Sequence, residues 1–206
     1  MPKFPALIAI FLVCSSVSFS QGMISLEKFE PGHYYDSAGN KVTGLLKFKY
    51  GGSAFSSKKD GDCELLFRAE KGEKRQKFNT REIRSFVIGN DSFAIVKNFD
   101  LNAFVYYPQD FAKVIESGKI NLYLYYATVN SGGQFPRTST VTYYLVEKDG
   151  KVVTIKKGIL KETLNAFFYS DYPDLADKYG KKIRISDLPL LTKMYNERFS
   201  NVAASK

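Results

Sequence analysis

The stretch from Ser85 to Tyr126 constrains this chain most, because apolar residues alternate along it with a period of two more densely than anywhere else. Phe86 and Ile88 precede Gly89-Asn90, a pair suited to a tight turn, and Phe93 and Ile95 follow at the same spacing, which predicts a hairpin. Phe99, Leu101, Ala103 and Val105 then set one face of a third expected strand, with Asn102, Phe104 and Tyr106 on the other. Pro108 lacks a backbone donor, so the ladder is expected to stop there. Phe111, Val114 and Ile115, spaced i, i+3, i+4, predict a short amphipathic helix closed by Gly118. Beyond it Ile120, Leu122 and Leu124 alternate with Asn121, Tyr123 and Tyr125 as a further strand. Each aliphatic side chain buried there contributes about 1.5–3 kcal/mol before ordering costs, enough for a core without metal or disulfide.

Before this stretch, Asp36-Ser37-Ala38-Gly39-Asn40 is a cluster of turn formers between His33-Tyr34-Tyr35 and a strand over Leu45 to Tyr50. A Gly/Ser-rich loop is expected over 51–62, a short strand over Glu64 to Phe67, and a hairpin tip near Gly72. A second loop is expected over 131–136. After it, Val141, Tyr143 and Leu145 alternate with Thr142, Tyr144 and Val146, and Asp149-Gly150 turns the chain into a strand over Val152 to Ile155. Past Gly158 the period changes: Leu160, Leu164, Phe167 and Phe168 predict a helix. Pro173 opens a second helix toward Tyr179, and Ser186-Asp187 caps a third with Leu188, Leu191 and Tyr195 on one face.

Strands therefore lead the first two thirds and helices the last. That predicts an α+β fold: an antiparallel β-sheet or sandwich with short helices packed on it and a helical C-terminal third. A single domain is expected over 21–206, mainly β over 21–157 with one inserted short helix, helical over 158–200, with a frayed tail over 201–206. The helical end and uneven strand spacing count against an outer-membrane barrel.

Residues 1–20 have the layout of a secretory signal peptide: Lys3, an apolar run from Ala6 to Val13, then small residues with Ser18 and Ser20 before Gln21. Lipoprotein processing at Cys14 is the rival expectation, with bulky Val13 against it, and an uncleaved anchor is a third. Cleavage before Gln21 removes one Lys and no acid, taking the net charge from +9 to +8. It also leaves Cys63 as the lone cysteine, so no internal disulfide can form, and Cys63 reads as a small core residue.

Gly32-His33-Tyr34-Tyr35, Gly39-Asn40, Gly44-Leu45-Leu46, the Phe-rich segment around Phe167 and Tyr195-Asn196 give the chain a resemblance across most of its mature length. It resembles a group of uncharacterised exported proteins of Bacteroidota-type bacteria. The resemblance implies export and a β-rich fold, and implies no activity.

Little chemistry is legible. His33 is the lone histidine and has no nucleophile motif beside it, so it reads as structural, and zinc ligation by nitrogen and sulfur lacks ligands. Asp60, Asp62 and Glu64 alternate across Gly61 without the spacing of a calcium loop, and read as a solvated turn. No phosphate-binding loop or dinucleotide fingerprint is present, and no cofactor is expected. Charge carries the functional direction, with 30 Lys and Arg against 21 Asp and Glu. Lys71, Lys74, Arg75, Lys77, Arg81 and Arg84 form one cluster, and Lys178, Lys181, Lys182 and Arg184 a second. Such clusters draw a protein toward polyanions, which for an exported chain are envelope phosphates or acidic glycans rather than nucleic acid. Tyr123 and Tyr125, extended by Tyr143 or Tyr144, could add an aromatic face that stacks on sugars. The expectation is thus an exported, non-catalytic envelope protein that binds a surface polymer or a partner protein. The alternatives are a carboxylate-dependent hydrolase of envelope or extracellular glycans and a structural subunit of an envelope assembly.

Overall fold

A computed structural model describes residues 28–53, 58–131, 137–179 and 183–204. The strands are β1 (Glu30–Asp36), β2 (Lys41–Lys49), β3 (Gly52–Ser53), β4 (Glu64–Arg68), β5 (Gln76–Phe78) and β6 (Ile83–Ile88). They continue as β7 (Asp91–Asn102), β8 (Val105–Glu116), β9 (Asn121–Ser131), β10 (Arg137–Lys148) and β11 (Lys151–Thr154). The helices α1 (Leu160–Leu164), α2 (Pro173–Tyr179) and α3 (Leu188–Ala204) follow. Among the described residues the strands form one sheet in the order β11-β10-β9-β8-β7-β6-β1-β2-β4-β5, all neighbours antiparallel, and β3 pairs parallel with β9. The antiparallel, strand-led fold is as expected; the sandwich is not, because there is one sheet.

That sheet curls. Only Tyr50 and Gly51 separate β2 from β3, yet β3 pairs with Ala127 and Thr128 of β9, five strands from β2 along the sheet order. β9 has room for it because β8 pairs with β9 only at Leu124, Tyr123 and Leu122. Inside the curl Phe48, Phe86, Phe93, Phe99, Tyr107, Phe111 and Tyr125 are fully buried. A second core lies under the helices, where Ile120, Leu122, Val146 and Ile155 meet Leu164, Phe168, Leu188, Leu191 and Tyr195.

Turn chemistry explains the hairpins. Gly89 takes φ 57° between the paired residues Ile88 and Asp91, and Asp149 and Gly150 take φ 51° and 77° between Lys148 and Lys151. Three expectations on this part of the chain are corrected. First, the run from Phe99 to Tyr106 is not one strand: it folds back at Ala103-Phe104, where the Phe104 N–H donates to Asn102 Oδ1 at 2.9 Å. Second, Pro108 does not stop the ladder. It falls between the pairs Lys97–Gln109 and Phe99–Tyr107, opposite Asn98, whose φ of 55° already breaks the regular pairing. Third, Phe111, Val114 and Ile115 are not helical but belong to β8, paired with β7 on one edge and β9 on the other. Phe111 and its neighbour Ala112 are both fully buried, so the strand is covered on both faces and loses the alternation that would have identified it.

A helical C-terminal third overstates the helix: helical turns begin at Lys157, close to the expected boundary, but α1 spans only 5 residues and α2 only 7. Leu160–Leu164 passes into a π-turn over Asn165–Tyr169, which buries Phe167 and Phe168 as the periodicity predicts. α3 continues through Ala204, into the expected tail. Asn196 pins α3 to the sheet: its Oδ1 accepts the Ile120 N–H at 2.9 Å and its Nδ2 donates to the Ile120 carbonyl at 2.8 Å. Among the described residues no helix is long and apolar enough to cross a membrane. Residues 1–20, and with them Cys14, lie outside the described residues.

Candidate functional site

Two groups of polar side chains stand out, one buried and one on the surface. The buried one forms where β8 leaves β9. Backbone donors of the incoming Asp62-Cys63 segment have no strand partner in that gap, and the Asp110 carboxylate supplies one. It accepts the Asp62 N–H at 3.0 Å, the Cys63 N–H at 3.2 Å, the Phe111 N–H at 2.8 Å and the Tyr125 hydroxyl at 2.7 Å. Tyr107 donates to Asp62 Oδ2 at 3.0 Å, and the Lys58 ammonium lies 3.9 Å from Asp62 Oδ1. Gly61 has φ 82°, and a Cβ there would collide with the Asp110 carboxylate.

Burial raises the Asp110 pKa above the ordinary carboxylate value, against the pull of its Tyr125 and backbone hydrogen bonds. Burial also raises Tyr125, Tyr107 and the Cys63 thiol, with the nearby carboxylates adding to each. Cys63 thus sits in the core as a neutral thiol. A glycoside hydrolase needs two carboxylates within reach of substrate. Asp110 is completely buried, Asp62 nearly so, and their hydrogen-bonding capacity goes to protein donors. The pair is a structural anchor.

The alternating acidic triplet also divides. Asp60 pairs with Arg81, Asp62 faces Tyr107, and Glu64 reaches Lys77 and Lys49 at 2.9 and 3.6 Å. Among the described residues no cluster of three or more His, Cys, Asp or Glu could hold a metal ion. His33 lies on β1, edge-on to Tyr35, and burial followed by the charge of Lys41 lowers its pKa, so it is neutral at pH 7. The aromatic face is corrected: Tyr125 is fully buried and Tyr123 nearly so, and Tyr143 and Tyr144 belong to different cores. These rings do not form one surface open to a sugar.

The surface group lies on the outer side of β2, β4 and β5. Strand alternation turns Leu46, Phe48, Leu65 and Phe67 into the core and sets Lys47, Lys49 and Glu64 on the opposite face, with Leu66 buried among them. Cross-strand register sets Lys47 opposite Leu66 and Leu66 opposite Lys77. Lys47, Lys49, Glu64, Leu66, Arg75 and Lys77 line a surface hollow of about 590 Å³, four cations around one carboxylate. Burial works to raise Glu64, but the Lys77 hydrogen bond and the charges of Lys77 and Lys49 hold it below its ordinary value, so it is ionised at neutral pH.

Of the expected basic residues, Arg75 and Lys77 line this hollow. Lys71 and Lys74 are exposed on the β4–β5 connection, Arg81 turns to Asp60, and Arg84 lies on β6 beside the Gly39 turn. From the second cluster, Lys178 lies over the Tyr179 ring in α2, and Arg184 donates its N–H to Asp187 ahead of α3. Lys181 and Lys182 fall outside the described residues. Lys47 and Lys49 were missed. They flank Phe48 with period two, and that alternation already marks both as facing away from the core.

The class these observations define is a curled antiparallel sheet with C-terminal helices and a basic outer face. Comparison of the chain with protein-family models, curated proteins and solved structures finds no match to any of them.

Proposed function

We propose that the chain is an exported, non-catalytic module of the cell envelope that binds an anionic polymer along the outer face of β2, β4 and β5. One observation carries the reading: Lys47, Lys49, Arg75 and Lys77 converge on one hollow around a single carboxylate. Lys47, Lys49 and Lys77 ride on paired strands, so their spacing is set by the sheet, and Arg75 sits on the residue just before β5. A run of fixed positive charge on an open face suits the repeating charges of a polymer, and the net charge, +9 for the whole sequence and +8 after cleavage before Gln21, favours its approach. Export rests on the layout of residues 1–20, and kinship with the β-rich exported proteins of Bacteroidota-type bacteria belongs to the same proposal.

Polyphosphate and polygalacturonate serve as probes, one carrying phosphates and the other carboxylates. Binding of either, lost with rising salt and weakened by Lys47→Gln with Arg75→Gln, supports the reading. Failure to bind both at low salt contradicts it.

A further inference from the structure

The two ends of the sheet differ in how well they are closed. β5, at one end, is 3 residues long and carries Lys77, features that discourage further pairing. At the other end β11 covers only Leu145 to Lys148 of the 12-residue strand β10. One more bond extends that cover, from the Ile155 N–H to the Tyr144 carbonyl at 2.8 Å. That bond fixes the direction of the Tyr144 carbonyl, which points away from β9. Outward-pointing residues alternate along an antiparallel strand, so Thr142, Thr140 and Thr138 also turn their N–H and C=O groups to the outer edge. Among the described residues no strand pairs with them there.

Among the described residues this edge lacks the usual safeguards. Thr138 to Tyr144, TSTVTYY, contains no charge, proline or glycine and is rich in β-branched and aromatic residues. Ser139, Thr140, Val141 and Thr142 are exposed. We propose that the edge pairs with the same edge of a second copy, β10 against β10 in antiparallel order about a two-fold axis. A two-fold axis lets the same uncharged segment supply both partners, so the occupant is a second copy of this chain. With Thr140 opposite its counterpart, Thr138 meets Thr142 and Ser139 meets Val141, so no like charges face each other and Thr–Thr pairs line the seam. A chain of net charge +9 repels its own copies over most of its surface, and this edge is a place where that charge is missing. The contact is short, so it falls below the roughly 1,200 Å² of a stable interface and the dimer is concentration-dependent.

Sedimentation velocity on the purified protein tests this over a range from about 1 to about 500 µM, which brackets a weak association. The expected result is a monomer that becomes a dimer as concentration rises, with amide exchange at Thr138, Thr140 and Thr142 slowing in parallel. Thr140→Lys and, separately, Thr142→Lys place like charges at the seam and weaken dimerisation roughly tenfold or more. Both positions are exposed, so unchanged far-UV circular dichroism is expected, and the exchange measurement on the unmodified chain stands apart from either variant. A monomer at every concentration overturns the proposal. So does a dimer untouched by both lysines, or an edge protected only when a foreign peptide is added.

Discussion

Tyr125 donates its hydroxyl hydrogen to Oδ2 of Asp110 over 2.7 Å, with both residues fully buried. This bond and the Asp62 and Cys63 N–H bonds to the same carboxylate hold together the place where β8, β9 and the segment entering β4 part company. Tyr125→Phe removes a hydrogen bond to a charged group, and a loss of about 1.5–3 kcal/mol is expected from urea unfolding at pH 7. The pH dependence follows from burial. Asp110 has a raised folded-state pKa, so protonation favours the folded state, and this gain grows as pH falls through that pKa and is complete below the unfolded value near about 3.9. The Tyr125 bond opposes the upward shift, so the variant raises the Asp110 pKa further. Its deficit is therefore largest at neutral pH and narrows as the carboxyl takes up its proton.

Gly61 and Gly150 separate two costs. Both have positive φ, 82° and 77°, but a Cβ on Gly150 meets open space whereas one on Gly61 strikes Asp110. Gly150→Ala is expected to cost about 1–2 kcal/mol, the left-handed backbone penalty alone. Gly61→Ala adds overpacking against a buried carboxylate and is expected to cost about 1–3 kcal/mol more. Urea midpoints of the two variants give the comparison.

Asp171 ties the helices to β10. Its carboxylate accepts from Lys148 at 2.7 Å and Tyr195 at 2.8 Å, and these bonds hold its pKa far below the ordinary range. A depressed carboxylate stabilises the fold above its unfolded pKa of about 3.9 and loses that contribution as pH falls through the folded value. Asp171→Asn is expected to melt earlier than the parent at pH 7. The gap closes progressively as pH is lowered below about 4 in thermal unfolding.

Local features were legible in the amino-acid sequence where the physics is local. Gly89-Asn90 and Asp149-Gly150 mark their hairpins because turn residues act on their own backbone. The period change at Gly158 announces the helices because an amphipathic face is a property of one segment. Phe111 to Ile115 misled because β8 is covered on both faces at Phe111 and Ala112, and a short apolar run then reads equally as helix. Ala103-Phe104 hid its turn for another reason: it has no glycine, and Phe104 is 94% exposed at the tip. Asp110 could not be recognised as an anchor, since its Asp62 and Cys63 donors lie 48 and 47 residues away. The basic face was half legible. Arg75 and Lys77 stand in an obvious run of charge, whereas Lys47 and Lys49 join them only through the β2–β4–β5 register.

The most direct test of the binding face is the salt dependence of polyphosphate affinity, measured by titration for the parent, for Lys47→Gln with Arg75→Gln, and for Lys178→Gln with Arg184→Gln. The account predicts that affinity falls as salt rises, and that the first pair of changes lowers the slope of log K against log salt by roughly one per cation removed. The second pair, on α2 and ahead of α3, should leave that slope where it was. Equal slopes for the parent and the Lys47/Arg75 variant, or a loss confined to the Lys178/Arg184 variant, would contradict it.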